Sequence, residues 1–273
     1  MKKKISAVLC CFTLITIFAK TSYADNNNSE AQDVAKKLQN PVASLISVPF
    51  QNNFQYGLGP DKKGSQYILR LQPVIPISLN SDWNMIFRPI LPFMTQHSVI
   101  GHTSQIGLSD LELEVFFSPK EASAGNLFWG LGPILLLPTA TDNMLGYQKW
   151  GMGPSAVVLT QRGPWTIGML ANHLFSYAGK SGRNNISVSY LQPFIAHSNK
   201  SGTSLNFSSE TSYNWKAGLW SIPLIGGVSQ IIPICGHLIS AGLSGLYYAK
   251  TPTDGPIWGI RATITLLFIK KHE

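Results

Sequence analysis

Between Tyr67 and Phe93 the chain is written with a period of two, and that rhythm limits its fold more than any other feature. Tyr67, Leu69, Leu71, Pro73, Ile75, Ile77 and Leu79 share one face of an extended strand, while Gln66, Arg70, Gln72, Pro76 and Ser78 share the other. After Asn80-Ser81-Asp82 the return segment repeats the scheme, with Trp83, Met85, Phe87, Pro89, Leu91 and Phe93 set against Asn84, Arg88, Pro92 and Gln96. A helix would scatter both sets around its circumference. A strand separates them, so the segment predicts a hairpin with one apolar and one polar side.

The pattern recurs along the chain. Ile46, Val48, Phe50, Phe54 and Tyr56 alternate with Ser47, Gln51, Asn53 and Gln55, and Leu111, Leu113, Val115 and Phe117 alternate with Asp110, Glu112 and Glu114. Leu205, Phe207, Tyr213 and Trp215 oppose Asn206, Ser208, Glu210, Ser212 and Asn214. Trp258, Ile260, Ala262, Ile264, Leu266 and Phe268 oppose Arg261, Thr263 and Thr265. Fainter alternation covers residues 127–138, 149–161, 165–177, 185–198, 219–232 and 237–249. This gives about 12 strands, each near the roughly 9–11 residues that cross a bilayer at a tilt. Tight connections near Asn80, Arg162, Asn199 and Gly236 alternate with longer ones near Asp61, His102, Asp142, Lys180 and Asp254. The connection at 216–218 breaks this rule. Short turns on one side and long loops on the other belong to an outer-membrane barrel.

Only 12% of the 273 residues are charged, well below the roughly 25% of soluble domains. No run after the leader reaches the roughly 20 apolar residues of a membrane helix. A secreted β-sandwich would also alternate, but its polar faces would be rich in Lys and Glu. Here those faces carry Ser, Thr, Asn and Gln, which suits a confined wet lumen. Trp83, Trp165, Tyr56, Tyr67, Tyr177, Tyr213, Trp215 and Trp258 fall near strand ends, where rings gather at the lipid–water boundary. Pro73, Pro76, Pro89, Pro92, Pro133, Pro154, Pro193 and Pro223 run against a closed ladder, and bulges or early strand ends are expected at them.

Residues 1–24 read as a signal peptide: Lys2, Lys3 and Lys4, an apolar stretch from Ile5 to Phe18, then Ser22-Tyr23-Ala24. Lys2, Lys3, Lys4 and Lys20 leave with it, so 21 basic residues become 17 against 13 acidic ones, and a net charge of +8 becomes +4. The basic balance is thus largely the leader's, and no nucleic-acid partner is expected. Of the cysteines only Cys235 remains, which excludes an internal disulfide. Residues 25–41 form an N-terminal periplasmic or plug segment, with one helix capped by Ser29 and Gln32 and stopped by Pro41. Asp33, Lys36 and Lys37 are expected to reach inward charges. Residues 42–273 form the barrel.

The stretches "LQNPVASLISVPFQNNFQYGLGP", "LQPVIPISLNSDWNMIFRPILP", "LSDLELEVFFSPK", "WGLGPILLLPTATD", "KWGMGPSAVVL", "GPWTIGMLANHLFS", "LQPF" and "WGIRATITLLF" resemble a family of Gram-negative exported proteins. Its members are catalogued as transporters or as the MetA pathway of phenol degradation, some under the name neuromedin U. The resemblance spans nearly all of residues 38–268. It implies an outer-membrane β-barrel that passes small solutes, with aromatic or hydrophobic cargo implied by the family name alone, and it carries no catalytic residues.

The inward polar face holds the candidate site. Arg70, Arg88 and Arg261 come from strands 2, 3 and 12, with Glu112 and Glu114 on strand 4 and Glu210 on strand 9. Opposed charges across a constriction select solutes by charge and dipole, unless the groups are used up pairing with one another. No enzyme is expected: His173 with Ser176, and His237 with Ser240, have odd spacings and point to opposite sides of a strand. No metal or cofactor is expected either. His97 and His102 lack a carboxylate partner, and "GLGP" at 57–60 and 130–133 lacks the Gly-Lys-Ser/Thr of a phosphate loop. The expected partners are outer-membrane lipids, a small-molecule solute, and the outer-membrane assembly machinery, which would read the terminal Leu267-Phe268. The competing function is a non-conducting structural or receptor-like barrel that binds through its surface loops.

Overall fold

The computed structural model describes residues 25–234 and 237–268. The leader, Cys235, Gly236 and the last five residues, all subjects of expectations above, lie outside them. Helix α1 (Asp25–Leu38) precedes a closed antiparallel barrel of 12 strands joined in sequence order. These are β1 (Ile46–Leu58), β2 (Gly64–Leu71 and Ile75–Ser78), β3 (Trp83–His97), β4 (Ser104–Leu108 and Leu111–Pro119), β5 (Leu127–Leu137) and β6 (Lys149–Arg162). They continue as β7 (Trp165–Gly179), β8 (Ser187–Ser198), β9 (Thr203–Ser209 and Thr211–Asn214), β10 (Leu219–Ile234), β11 (His237–Lys250) and β12 (Trp258–Phe268). The barrel closes where β1 pairs with β12, from Ile46↔Phe268 to Tyr56↔Trp258.

The period-two reading places the side chains correctly. Phe50, Phe54, Trp165, Ile167, Phe207, Leu243, Ile260 and Ile264 are exposed on the outer wall, whereas Asn53, Gln55, Glu114 and Arg261 are buried inside. An exposed apolar band around a closed ladder is stable only in hydrocarbon, and closure leaves no edge unpaired there. The protein is therefore an outer-membrane barrel in contact with lipid. Aromatic rings edge this band at both ends. Trp83 meets Trp129 edge-on at 5.8 Å on the turn side, and Tyr56 stacks on Trp258 at 4.7 Å on the loop side, where Tyr213 packs with Trp215 and Trp220.

The prolines disturb the ladder less than expected. At Pro73 strand β2 breaks, yet it resumes against β3 in the same register, since Arg70↔Pro92 and Pro76↔Ile86 belong to one alignment. Register shifts accompany prolines in two places: between Ile222 and Pro223, and across Pro92, where the β3–β4 pairing slips by one residue between Ile90↔Glu112 and Phe93↔Leu108. The others fit because proline's φ still lies within the broad extended region, and each removes a single ladder donor.

The N-terminal segment enters the turn-side mouth. Its helix begins at Asp25, so Ser29 lies within it and is not its cap. Val34 and Ala35 are buried with Leu45, Ile231 and Leu267. Gln32 Nε2 donates to the Ser198 carbonyl at 2.7 Å, Gln161 Nε2 donates to the Lys36 carbonyl at 2.8 Å, and Asn84 Nδ2 donates to Ser44 Oγ at 2.9 Å. Asp33, Lys36 and Lys37 form no ion pair among the described residues, contrary to expectation. The segment is held by burial and uncharged hydrogen bonds. Beyond the helix, Val42 is buried against Ile86, Phe116, Val157, Leu159 and Leu170, all pointing inward from the wall. The turn-side lumen is thus an apolar core, where the sequence suggested a wet interior.

Candidate functional site: the loop-side lumen

Above that core the barrel encloses a cavity of about 450 Å³. The six charged residues read from the sequence all line it. They reach it because each sits on the inward parity of its strand, and the strands are placed around the ring by the order of the hairpins.

Two ion pairs take up most of this charge. Glu114 is only 2% exposed; it accepts from Arg88 Nη1 at 2.8 Å, and from Ser155 Oγ and Asn172 Nδ2 at 3.0 Å each. Arg88 and Glu114 face each other across the β3–β4 ladder. Glu210 sits in the break of β9 and reaches Arg261: Nη1 donates to Oε1 at 2.6 Å and Nη2 to Oε2 at 3.0 Å. Arg261 Nε also donates to Asn53 Oδ1 at 2.6 Å, and Asn53 Nδ2 is tied to the Ile68 carbonyl at 3.1 Å. A bidentate fork with its third donor occupied fixes the arginine's plane. Such burial costs desolvation, and that cost is offset because both oxygens of Glu114 and both of Glu210 accept hydrogen bonds.

Arg70 and Glu112 are different. Arg70 Nη1 lies 3.4 Å from Glu210 Oε2, an oxygen already bound by Arg261, and the Arg70 side chain stays 31% exposed. Glu112 takes part in no ion pair among the described residues. Both line the cavity. The wall from β5 to β8 is apolar: Ile134 and Leu136 of β5, Leu174 of β7 and Ile186 just before β8 form one buried cluster, with Val188 packed against it. Tyr190, Tyr248 and the polar side chains of Gln51, Gln72, Asn172 and Gln192 also line the cavity.

A strap over the cavity was not legible in the sequence. Strand β4 is interrupted at Ser109-Asp110, and there the loop of residues 138–148 is tied down. Asp110 accepts from the Ala140 N–H at 3.1 Å and the Tyr147 N–H at 2.6 Å, and Ser109 Oγ donates to the Leu145 carbonyl at 2.5 Å. The Leu108 and Leu111 N–H groups donate to Thr141 Oγ1 and Thr139 Oγ1 at 3.0 and 2.9 Å. These bonds bring Tyr147 into the cavity wall. Asp110 shares its parity with Glu112 and Glu114, but nothing in its spacing marks it as a loop anchor.

On the outer wall, His173 has a serine partner that the sequence reading does not find, although that reading separates it correctly from Ser176. Ser176 is not the partner of His173; its hydroxyl accepts from the Ile186 N–H at 2.8 Å. Parity along a single strand missed the cross-strand neighbour. Ser189 stands opposite His173 in the β7–β8 ladder, with its Oγ 2.8 Å from His173 Nδ1, and Trp215 Nε1 donates to the same oxygen at 2.9 Å.

No family model matches the chain, and no curated protein does. Among solved structures, an outer membrane channel from Pseudomonas putida matches with a TM-score of 0.64 at 12% identity, covering 83% of this chain and 96% of that one. The chain has an outer-membrane barrel fold. Outer membrane phospholipase A from Escherichia coli matches with a TM-score of 0.46 at 13% identity, over 82% of this chain and 97% of that one. The beta domain of the Bordetella autotransporter BrkA gives 0.46 at 11%, over 82% and 100%. The phospholipase corrects one expectation. It is an enzyme on a barrel of this kind, so the architecture does not support setting enzymatic activity aside, and a match this distant assigns none.

Proposed function

We propose that the protein is an outer-membrane channel for small solutes, with the loop-side lumen as its selective chamber and residues 25–45 as a gate on the periplasmic side. The observation that carries this reading is the layering of the interior. A charged cavity of about 450 Å³ on the loop side shares Leu170 with the buried apolar layer that Val42 completes. A barrel needed only as a wall could fill its lumen with side chains from the strands alone. Here one layer is completed by a segment outside the ladder, which can withdraw without breaking a strand. In this reading the leader of residues 1–24 exports the chain, and the assembly machinery reads its last strand. Arg70, Arg88, Glu112, Glu114, Glu210 and Arg261 set the selectivity. The apolar stretch of Ile134, Leu174, Ile186 and Val188 in a mostly polar chamber favours aromatic or amphipathic cargo over fully polar solutes, in keeping with the phenol-degradation family the sequence resembles.

The same apolar layer favours a second reading, a non-conducting barrel that binds partners through its loops. Single-channel recording in planar bilayers separates the two. Discrete current steps that lengthen when residues 25–45 are deleted support the gated channel. A heat-modifiable barrel that carries no current with or without the segment removes it.

A further inference from the structure

We propose that the loop-side lumen binds small amphiphilic zwitterions, of which free amino acids with apolar side chains are the simplest class, through Arg70 and Glu112. The inference rests on reading that lumen as a solute chamber. It follows from which inward charges are already used. Arg88 is held by Glu114 at 2.8 Å, and Arg261 by Glu210 at 2.6 Å. What remains is one cation and one anion. Arg70 has only a 3.4 Å approach to an oxygen that Arg261 already occupies, and Glu112 is in no ion pair among the described residues.

The chemistry of the remainder selects the ligand. A simple anion would satisfy Arg70 and leave Glu112 unmatched; a simple cation would do the reverse. A molecule carrying both charges matches both groups and adds no net charge to a chamber whose six charged side chains already cancel. In the same lining, Ile134, Leu174, Ile186 and Val188 offer an apolar surface to the body of such a molecule. The volume of about 450 Å³ lies within the roughly 300–1,000 Å³ of small-ligand sites.

The test is calorimetric titration of the detergent-purified protein with three ligands of one shape: phenylalanine, 3-phenylpropionate and phenethylamine. Phenylalanine is expected to bind at least about tenfold more tightly than either single-charge analogue, the effect of one charge-assisted hydrogen bond. Arg70→Gln should remove its advantage over the amine, and Glu112→Gln its advantage over the acid. Heat-modifiable migration of both variants shows that they are folded. Equal affinity for the three ligands, no detectable binding, or phenylalanine affinity unchanged in both variants would overturn the proposal. Because titration needs no current, binding without conductance would remove the channel reading and keep the site, whereas conductance with equal affinities would remove the site alone.

Discussion

The two ends of the lumen solve opposite problems with the same strands. On the turn side, inward positions carry Ile86, Phe116, Val157, Leu159 and Leu170, and these close over Val42 as the interior of a soluble domain would. On the loop side the same parity carries arginine and glutamate, and order comes from directed bonds to Glu114 and Glu210. The first end is shaped by packing, which tolerates no void; the second by charge, which must be matched. The comparison teaches that stability and selectivity are housed at different heights of one wall, so a substitution should affect mainly one of them.

The strongest attack on that separation is Glu114→Ala. It strands Arg88 in a buried site and removes acceptors from Ser155 and Asn172, so a loss of about 3–5 kcal/mol is expected, read as a lower midpoint in heat-modifiability or urea titration. Should this variant unfold no more readily than wild type, the charged layer is not structural. Ile86→Ala comes next: a cavity costing about 2–5 kcal/mol, together with longer-lived current steps, because the apolar layer loses a wall. Val42→Ala removes less, about 1–2 kcal/mol for two methyl groups, and should act mainly on open time while leaving ion selectivity as it was. Arg70→Gln should be the mildest in stability, under about 1 kcal/mol for a partly exposed and loosely paired arginine. Its effect should appear as a reversal-potential shift toward cations. A shift of equal size in Val42→Ala would collapse the distinction between the two ends.

How much of this was legible depended on what each face of a strand carries. In β1, β2, β3, β4, β9 and β12 one face is oily and the other polar, and there the alternation gave strands, faces and all six inward charges. In β5–β8 the alternation was faint for a reason the structure supplies. Ile134, Leu136, Val157, Leu159, Leu170 and Leu174 point inward while Leu131, Met152, Val158, Ile167, Met169 and Phe175 point to lipid, so both faces are apolar and the period of two loses contrast. The apolar lumen wall was hidden for the same reason that made those strands hard to see. Val42 gave no signal, since one valine after a proline has no periodicity. The pairing of His173 with Ser189 was missed because parity describes one strand, while neighbours in a sheet come from register.

The β1–β12 seam constrains the order in which this molecule can come into being. Ile46 pairs with Phe268, almost the whole chain away, and Val34, Ala35 and Leu45 find their burial partly on Leu267. Hairpins between successive strands form early because they close short loops, but the seam closes the longest loop the fold contains and carries its full entropic cost. No synthesised fragment lacking the last strand can complete the ring, so the chain must be kept from aggregating until its end arrives. The N-terminal segment, made before any strand of the barrel, is thus among the last to settle.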